Sequence, residues 1–392
     1  MNYKITYISY SVDDQDLRSR SVSILDDFFK DKNYKIQNEY GGILFVASGG
    51  SEQIAKEIVN EEPNIILLCH RESNSYAATM EIASYFRSEG KRVSVIDVMM
   101  TGAFEEFEKV QNVYHAVELL SGQKAAVIGE ISDWLINSDI DNELVRERLG
   151  VQLLRLPWSE LGDYNSCEPS KELINFFPDI AEKNLVETAR VYELLDRIIT
   201  QYDLSAISVE CFSMVRNDKV TACLPLAVIN TKNTVAACEG DVCSMIGSML
   251  IKAVSGIIPW QANVAEIKHD SILFAHCTAP LMHLTSFNIT THYESNCGTA
   301  IQGKFIKGEY GVFRINNSLD KYMLLEGQII ETPSHSFACR TQIEFRTSNE
   351  QTALLKNNGL GNHHLIFPAE YISVVEKMME VLQVERVVGI KQ

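Results

Sequence analysis

The sequence predicts an α/β protein with two parallel-sheet domains followed by a mainly antiparallel β domain. Up to about Pro259, short apolar runs alternate with segments of helical spacing, the pattern of a sheet covered by helices on both faces. Beyond Pro259 the helical spacing gives way to short alternating segments, the pattern of antiparallel strands. A chain of 392 residues also exceeds one ordinary domain. The expected domains are 1–121, 122–258 and 259–392.

In the first domain, residues 4–9, 43–47, 65–69 and 93–98 are expected strands, and 21–30, 52–60 and 76–90 expected helices. The turn Gly49-Gly50-Ser51 opens a helix and can hold an anion, but it has neither the Walker pattern nor the dinucleotide glycine pattern. The second domain starts at the buried run 124–129. It continues through a strand at 151–154, a long amphipathic helix over 184–200 and a strand at 207–210. A last strand ends at Cys238. From Val242 the apolar residues Met245, Ile246, Met249, Leu250 and Ala253 follow helical spacing, and Ser255-Gly256 is a stop signal. In the third domain, 271–276, 285–292, 311–316, 322–330 and 339–345 are expected strands of a barrel or sandwich, and 370–384 a closing helix.

Composition narrows the function. Hydrophobic content of 46% and charged content of 22% are those of a soluble globular protein. A formal net charge of −17 argues against nucleic acid and anionic membrane as partners. No apolar run has the length of a membrane helix, and the N-terminus alternates like a first strand without a secretory region. The nine cysteines are scattered, odd in number and never spaced CxxC. This favours a reducing, cytoplasmic setting over a disulfide framework or zinc ribbon.

The chemistry centres on Ala237-Cys238-Glu239-Gly240-Asp241. Open α/β sheets build sites at the carboxyl ends of strands, and the positive end of the following helix favours ionised carboxylates. Two carboxylates there suit a divalent metal or proton transfer; a capping Asp241 and a solvated Glu239 explain the pair in purely structural terms. Most histidines fall after Pro259, and those in polar or strand-end positions are His276, His292, His335, His363 and His364. Neutral imidazole ligates Mn, Fe, Co, Ni or Zn. Adjacent residues on a strand face opposite ways, so one of His363 and His364 enters a given pocket.

Seven segments in order resemble the L-fucose isomerase/L-arabinose isomerase superfamily, in particular its shorter L-fucose isomerase-like branch. They are Asn74-Ser75-Tyr76-Ala77-Ala78, Ser132-Asp133-Trp134-Leu135-Ile136, Ala237-Cys238-Glu239-Gly240-Asp241 and Ala275-His276-Cys277-Thr278, then Thr291-His292-Tyr293-Glu294-Ser295, Cys339-Arg340-Thr341-Gln342 and Gly361-Asn362-His363-His364. The resemblance implies two Rossmann-like α/β domains and a mainly β C-terminal domain. It implies a metal-dependent aldose–ketose isomerase that works through an ene-diol, with Mn²⁺ as the expected cofactor and a monosaccharide as substrate. A homotrimer or homohexamer with the site at subunit contacts is also implied. Glu239 and Asp241 are the expected catalytic pair; Glu239, His292 and His364 are the expected metal ligands. Asn74, Ser75, Trp134, Asn263, His276, Glu294, Arg340 and His363 are the expected substrate-binding residues. The family's second acidic ligand corresponds here to Asn263, which contributes no charge and no base. Asp241, Glu294 and Glu210 compete for the missing role. The alternative expectation is an isomerase-fold protein that binds a sugar or sugar phosphate without isomerising it.

Overall fold

The computed structural model describes residues 2–389 except 12, 31, 38, 182 and 183. The chain divides into two compact units, Met1–His115 and Ala116–Gln392. Two parallel sheets come first and antiparallel sheets follow, the predicted fold class.

The first unit carries strands β1 (Asn2–Ile8), β2 (Asn33–Gln37), β3 (Ile43–Val46), β4 (Asn64–Cys69) and β5 (Arg92–Asp97). They form one parallel sheet in the order β2-β1-β3-β4-β5. Every residue of β3 and β4 is buried, because helices cover the sheet. Leu44, Val46 and Leu67 pack against Ala78, Ile82 and Phe86 of the helix Ser75–Ser88. Strand β2 lies outside the expected strands. It is a half-exposed edge strand whose apolar positions are too few to show a pattern.

The second unit begins with a parallel sheet of β6 (Lys124–Ile128), β7 (Gln152–Leu156), β8 (Leu204–Val209) and β9 (Val235–Cys238), in the order β7-β6-β8-β9. The amphipathic helix Val186–Tyr202 buries Ala189, Tyr192, Leu195 and Ile198 in the core that β6 and β8 share. The antiparallel strands are β10 (Trp260–Ile267), β11 (Ser271–His276), β12 (Leu284–Thr290), β13 (Ala300–Phe305), β14 (Gly308–Ile315), β15 (Lys321–Glu331), β16 (Thr341–Arg346) and β17 (His363–Pro368), with a short β18 (Glu385–Arg386). Their order is β14-β17-β10-β11-β16-β15, and a β14–β15 pairing closes the ring into a barrel, with β18 added alongside β15. Alternate residues fill the interior: Trp260, Ala262, Ile272, Phe274, Val312, Met323, Leu325, Ile343, Phe345 and Ile366. Strands β12 and β13 form a separate hairpin.

The helix Val242–Ser255 joins sheet to barrel. Asp241 caps its start by accepting from Ser244 N at 2.7 Å, and Gly256 ends it in the left-handed region at φ 73°. Gly247 packs tightly on the barrel exterior: a Cβ there would lie 2.7 Å from Leu365 Cδ1 and 3.4 Å from Phe313 Cε1. This packing brings the end of β9 against β10 and β17, where the site forms.

Candidate metal centre

The turn after β9 has little freedom. Glu239 and Gly240 are both left-handed, at φ 65° and 72°. A side chain at 240 would place its Cβ 2.7 Å from the Glu130 carbonyl oxygen, so only glycine fits. The Glu239 carbonyl accepts from Ser132 N at 3.1 Å, and Trp134 Nε1 donates to Glu239 Oε2 at 2.7 Å. The loop after β6 therefore clamps both the backbone and the carboxylate of Glu239. From the barrel side, Gln261 on β10 serves the edge of β9 as a further strand would: its Oε1 accepts from Cys238 N at 2.9 Å and its Nε2 donates to Cys238 O at 3.3 Å.

Glu239 Oε1 faces His363 Nε2 at 3.7 Å and His276 Nε2 at 3.8 Å. Both histidines are buried, and neither Nε2 has a hydrogen-bond partner. One ligand atom from each of Glu239, His276 and His363 lies within 4.8 Å of the other two, the sole such group among the described residues. In a tetrahedral site with bonds of about 2.1 Å the ligand atoms stand about 3.4 Å apart, so a small contraction closes these three onto one ion. A carboxylate and two imidazoles form a mixed oxygen–nitrogen set open to several divalent metals.

The charges agree with this arrangement. Burial pushes the Glu239 carboxyl up, but the charges of His363 and His276 and the hydrogen bond from Trp134 bring it down to about 2. Burial likewise lowers His363, and Glu239 and Asp241 more than reverse this, raising it to about 9. Burial and the neighbouring His363 charge take His276 down to about 4, so its ring is neutral and its nitrogen available.

Asp241 carries the rest of the network. Burial raises its carboxyl, and the charge of Arg314 followed by His363 holds it well below the usual carboxylate range. Its Oδ1 accepts from Ser244 N at 2.7 Å; its Oδ2 accepts from Arg314 Nη1 and His363 Nδ1, both at 2.9 Å. The oxygens of this expected proton carrier are thus committed to protein partners.

His364 does not join Glu239. It pairs with Ala262, on the barrel-interior face, and its ring lies 5.9 Å from that of Phe274. His363, one residue earlier, pairs with Asn263 and faces outward. His292 sits on the loop after β12, where Nδ1 meets Ser295 Oγ at 3.2 Å and the ring also interacts with the Cys277 thiol. Phe212 stands edge-on to both His292 at 5.6 Å and Trp134 at 4.6 Å, so an aromatic wall links them. Glu294 on the same loop is exposed, and its carboxyl is raised by partial burial and by the charge of Glu239. Arg340 is spent on that loop: Nε donates to Thr291 O at 2.7 Å, and Nη2 to Thr291 Oγ1 at 3.1 Å and Asn296 Oδ1 at 3.3 Å.

Asn263 stands on β10 between Ala275 of β11 and His363 of β17, but its Oδ1 accepts from Asn362 Nδ2 at 2.6 Å. Glu210 Oε1 accepts from Ser213 N at 3.0 Å. Asn74 and Ser75 belong to the first unit. Asn74 starts a helix at φ 57° without a side-chain cap, and the buried Ser75 hydroxyl bonds Val46 O and accepts from His70 N.

His276 and His363 are expected among the substrate contacts, with His363 also open as the ligand in place of His364; Gln261, Ser138 and Arg314 are not among the expected site residues. Nothing local marks those three, since their partners are distant in the chain. No family model matches this sequence, and no curated protein matches it.

Proposed function

We propose that this protein is a metal-dependent aldose–ketose isomerase of the L-fucose isomerase-like kind. The observation that carries the reading is the convergence of Glu239, His276 and His363 on one point, beside Trp134. These residues would hold a divalent cation, Mn²⁺ by the resemblance. A cation held there would supply Lewis acidity for the negative charge that develops on the substrate. Glu239 stays ionised and is the base for the proton alpha to the carbonyl, carried between C1 and C2 through an ene-diol. Of the carboxylates that compete to be its partner, Asp241 and Glu210 are engaged elsewhere. Glu294 is exposed on the loop that carries His292 and its carboxyl is raised by burial and by the charge of Glu239, which leaves it as the candidate for the second role. Trp134 fits the apolar face of a sugar ring while holding Glu239.

Trp134, bonded to Glu239, is 47% exposed, and Ile136 two residues further on is 93% exposed, which supports completion of the centre by a neighbouring subunit in a trimer or hexamer. All nine cysteines are free thiols, which accords with a cytoplasmic setting. Among the described residues no helix is long and apolar enough to cross a membrane.

The occupied Asn263 carbonyl favours one second reading. With a single ionised carboxylate on the cation, the protein would bind a sugar or sugar phosphate and not turn it over. The deciding experiment incubates a panel of aldoses with the Mn²⁺-supplemented protein and with Glu239→Gln. Ketose formation that is lost on chelation and in the variant supports the isomerase. Stoichiometric sugar binding without turnover supports the second reading, and turnover indifferent to both treatments removes the proposed mechanism.

A further inference from the structure

Five of the nine free cysteines, Cys211, Cys223, Cys238, Cys277 and Cys339, interact with one another, and two of them flank metal-centre residues. Cys238 precedes Glu239, and Cys277 follows His276. Two pairs bring their thiols together. Cys211 Sγ and Cys238 Sγ stand 3.6 Å apart. The Cys277 thiol meets the Cys339 thiol, and Cys339 packs against the cluster of Cys277, Cys223 and Ala300.

Access separates the pairs. Cys211 and Cys238 are both deeply buried, so the native fold shields them from a dissolved oxidant. Cys339 is only half-buried and comes directly after the exposed run 334–337 and Ala338, with the buried Cys277 behind it. The backbone keeps this second pair in reach. His276 and Thr341 form the last rung of the β11–β16 ladder, and one step on Arg340 N–H donates to the Cys277 sulfur. Facing residues of an antiparallel pair have Cα atoms about 4.5–5.5 Å apart, a separation that a disulfide spans. Each thiol also adjoins a part of the site. Cys277 interacts with the His292 ring. Cys339 precedes Arg340, whose guanidinium holds the loop of His292 and Glu294 through Thr291 and Asn296.

We infer that Cys277 and Cys339 are an oxidation site for peroxides, and that the disulfide they form weakens the cation site next to them. Peroxide passes one oxygen to the Cys339 thiol, which becomes a sulfenic acid, and leaves as water. The Cys277 sulfur then attacks the Cys339 sulfur. The S–S bond forms as the S–O bond breaks, and the hydroxyl leaves with the Cys277 proton as a second water. Two thiols thus give up two electrons and two protons, and one peroxide becomes two waters. Closing the bond draws in the residue after His276 and the residue before Arg340, and it ends the contact of Cys277 with His292. Reversible disulfides of this kind in reducing compartments are redox sensors rather than staples. The effect on the cation rests on the metal-centre reading above; the cross-link does not.

The test treats the metal-free full chain with hydrogen peroxide, removes the peroxide, and alkylates the remaining thiols under denaturing conditions. Mass spectrometry should find two fewer alkylated cysteines than the nine of the untreated chain, and a peptide that joins Cys277 to Cys339. A dithiol reductant should restore all nine. Mn²⁺ titration of the oxidised chain should give an affinity roughly tenfold or more below that of the untreated chain, recovered on reduction. Cys339→Ser should form no cross-link and keep its Mn²⁺ affinity through the treatment. Should that variant not fold, Cys339→Ala takes its place, and the wild-type peptide map stands without either. A cross-link between Cys211 and Cys238 in its stead, nine thiols left unreacted, or an oxidised wild type with undiminished Mn²⁺ affinity overturns the inference. A Cys277–Cys339 cross-link in a protein that binds no Mn²⁺ before or after treatment upholds the oxidation site and overturns the metal-centre reading instead.

Discussion

Binding of a cation at this centre should release one proton, and the structure says from where. In the metal-free protein His363 titrates at about 9, because Glu239 and Asp241 outweigh the effect of burial. At neutral pH its ring is therefore an imidazolium, with Nε2–H directed at Glu239 and Nδ1–H at Asp241. An ion can take Nε2 only after that proton leaves. At pH 7, two units below the titration point, the displacement costs about 3 kcal/mol, roughly a hundredfold in affinity. Glu239 near 2 and His276 near 4 already have the right charge above about pH 5 and add no further slope. Mn²⁺ affinity should therefore rise about tenfold per pH unit between pH 6 and 8. The free Mn²⁺ electron paramagnetic resonance signal measures this directly. His363→Gln should bind more weakly and show no such slope. An affinity that stays level between pH 6 and 8 in the wild type would refute the reasoning.

Further outcomes follow from the same geometry. In the metal-free protein the raised His363 stabilises the fold fully below pH 6.5 and loses that effect as pH rises toward 9, on the order of 3 kcal/mol, so thermal unfolding should fall to lower temperature across that window. Asn263→Asp places a carboxylate on β10 between the two histidine-bearing strands and should raise Mn²⁺ affinity roughly tenfold or more by titration calorimetry. Trp134 touches Glu239 directly, so cation binding should change intrinsic fluorescence, and Trp134→Phe should abolish that change while leaving the protein folded. Gly240→Ala should cost about 2–3 kcal/mol in denaturant unfolding, from left-handed strain and collision with the Glu130 carbonyl.

The parts of the site that were legible in the sequence are local. The end of β9, the cap at Asp241 and the helical spacing from Val242 lie within one short stretch, and each leaves its own residue signature. The choice between His363 and His364 was not legible. Both faces of β17 are buried, one inside the barrel with Ile366 and the other under the helix Val242–Ser255 with Leu365, so no polar side reveals the alternation. Strand β10 was not foreseen because Gln261 and Asn263 interrupt its apolar pattern; Gln261 serves β9, and Asn263 stands beside His363. Arg314 sits between Phe313 and Ile315 with nothing nearby to say that its partner lies at 241. The separate strands of the barrel were partly visible, while its closure depends on the β14–β15 pairing and on long-range register that alternation does not encode.

The most direct measurement is the anomalous diffraction of a crystal soaked with Mn²⁺ at pH 8. The account predicts one strong peak within bonding distance of Glu239 Oε1, His276 Nε2 and His363 Nε2, with His364 remote inside the barrel. A peak held by His292 or His364 without His276, or no peak at Glu239 under saturating Mn²⁺, would contradict it.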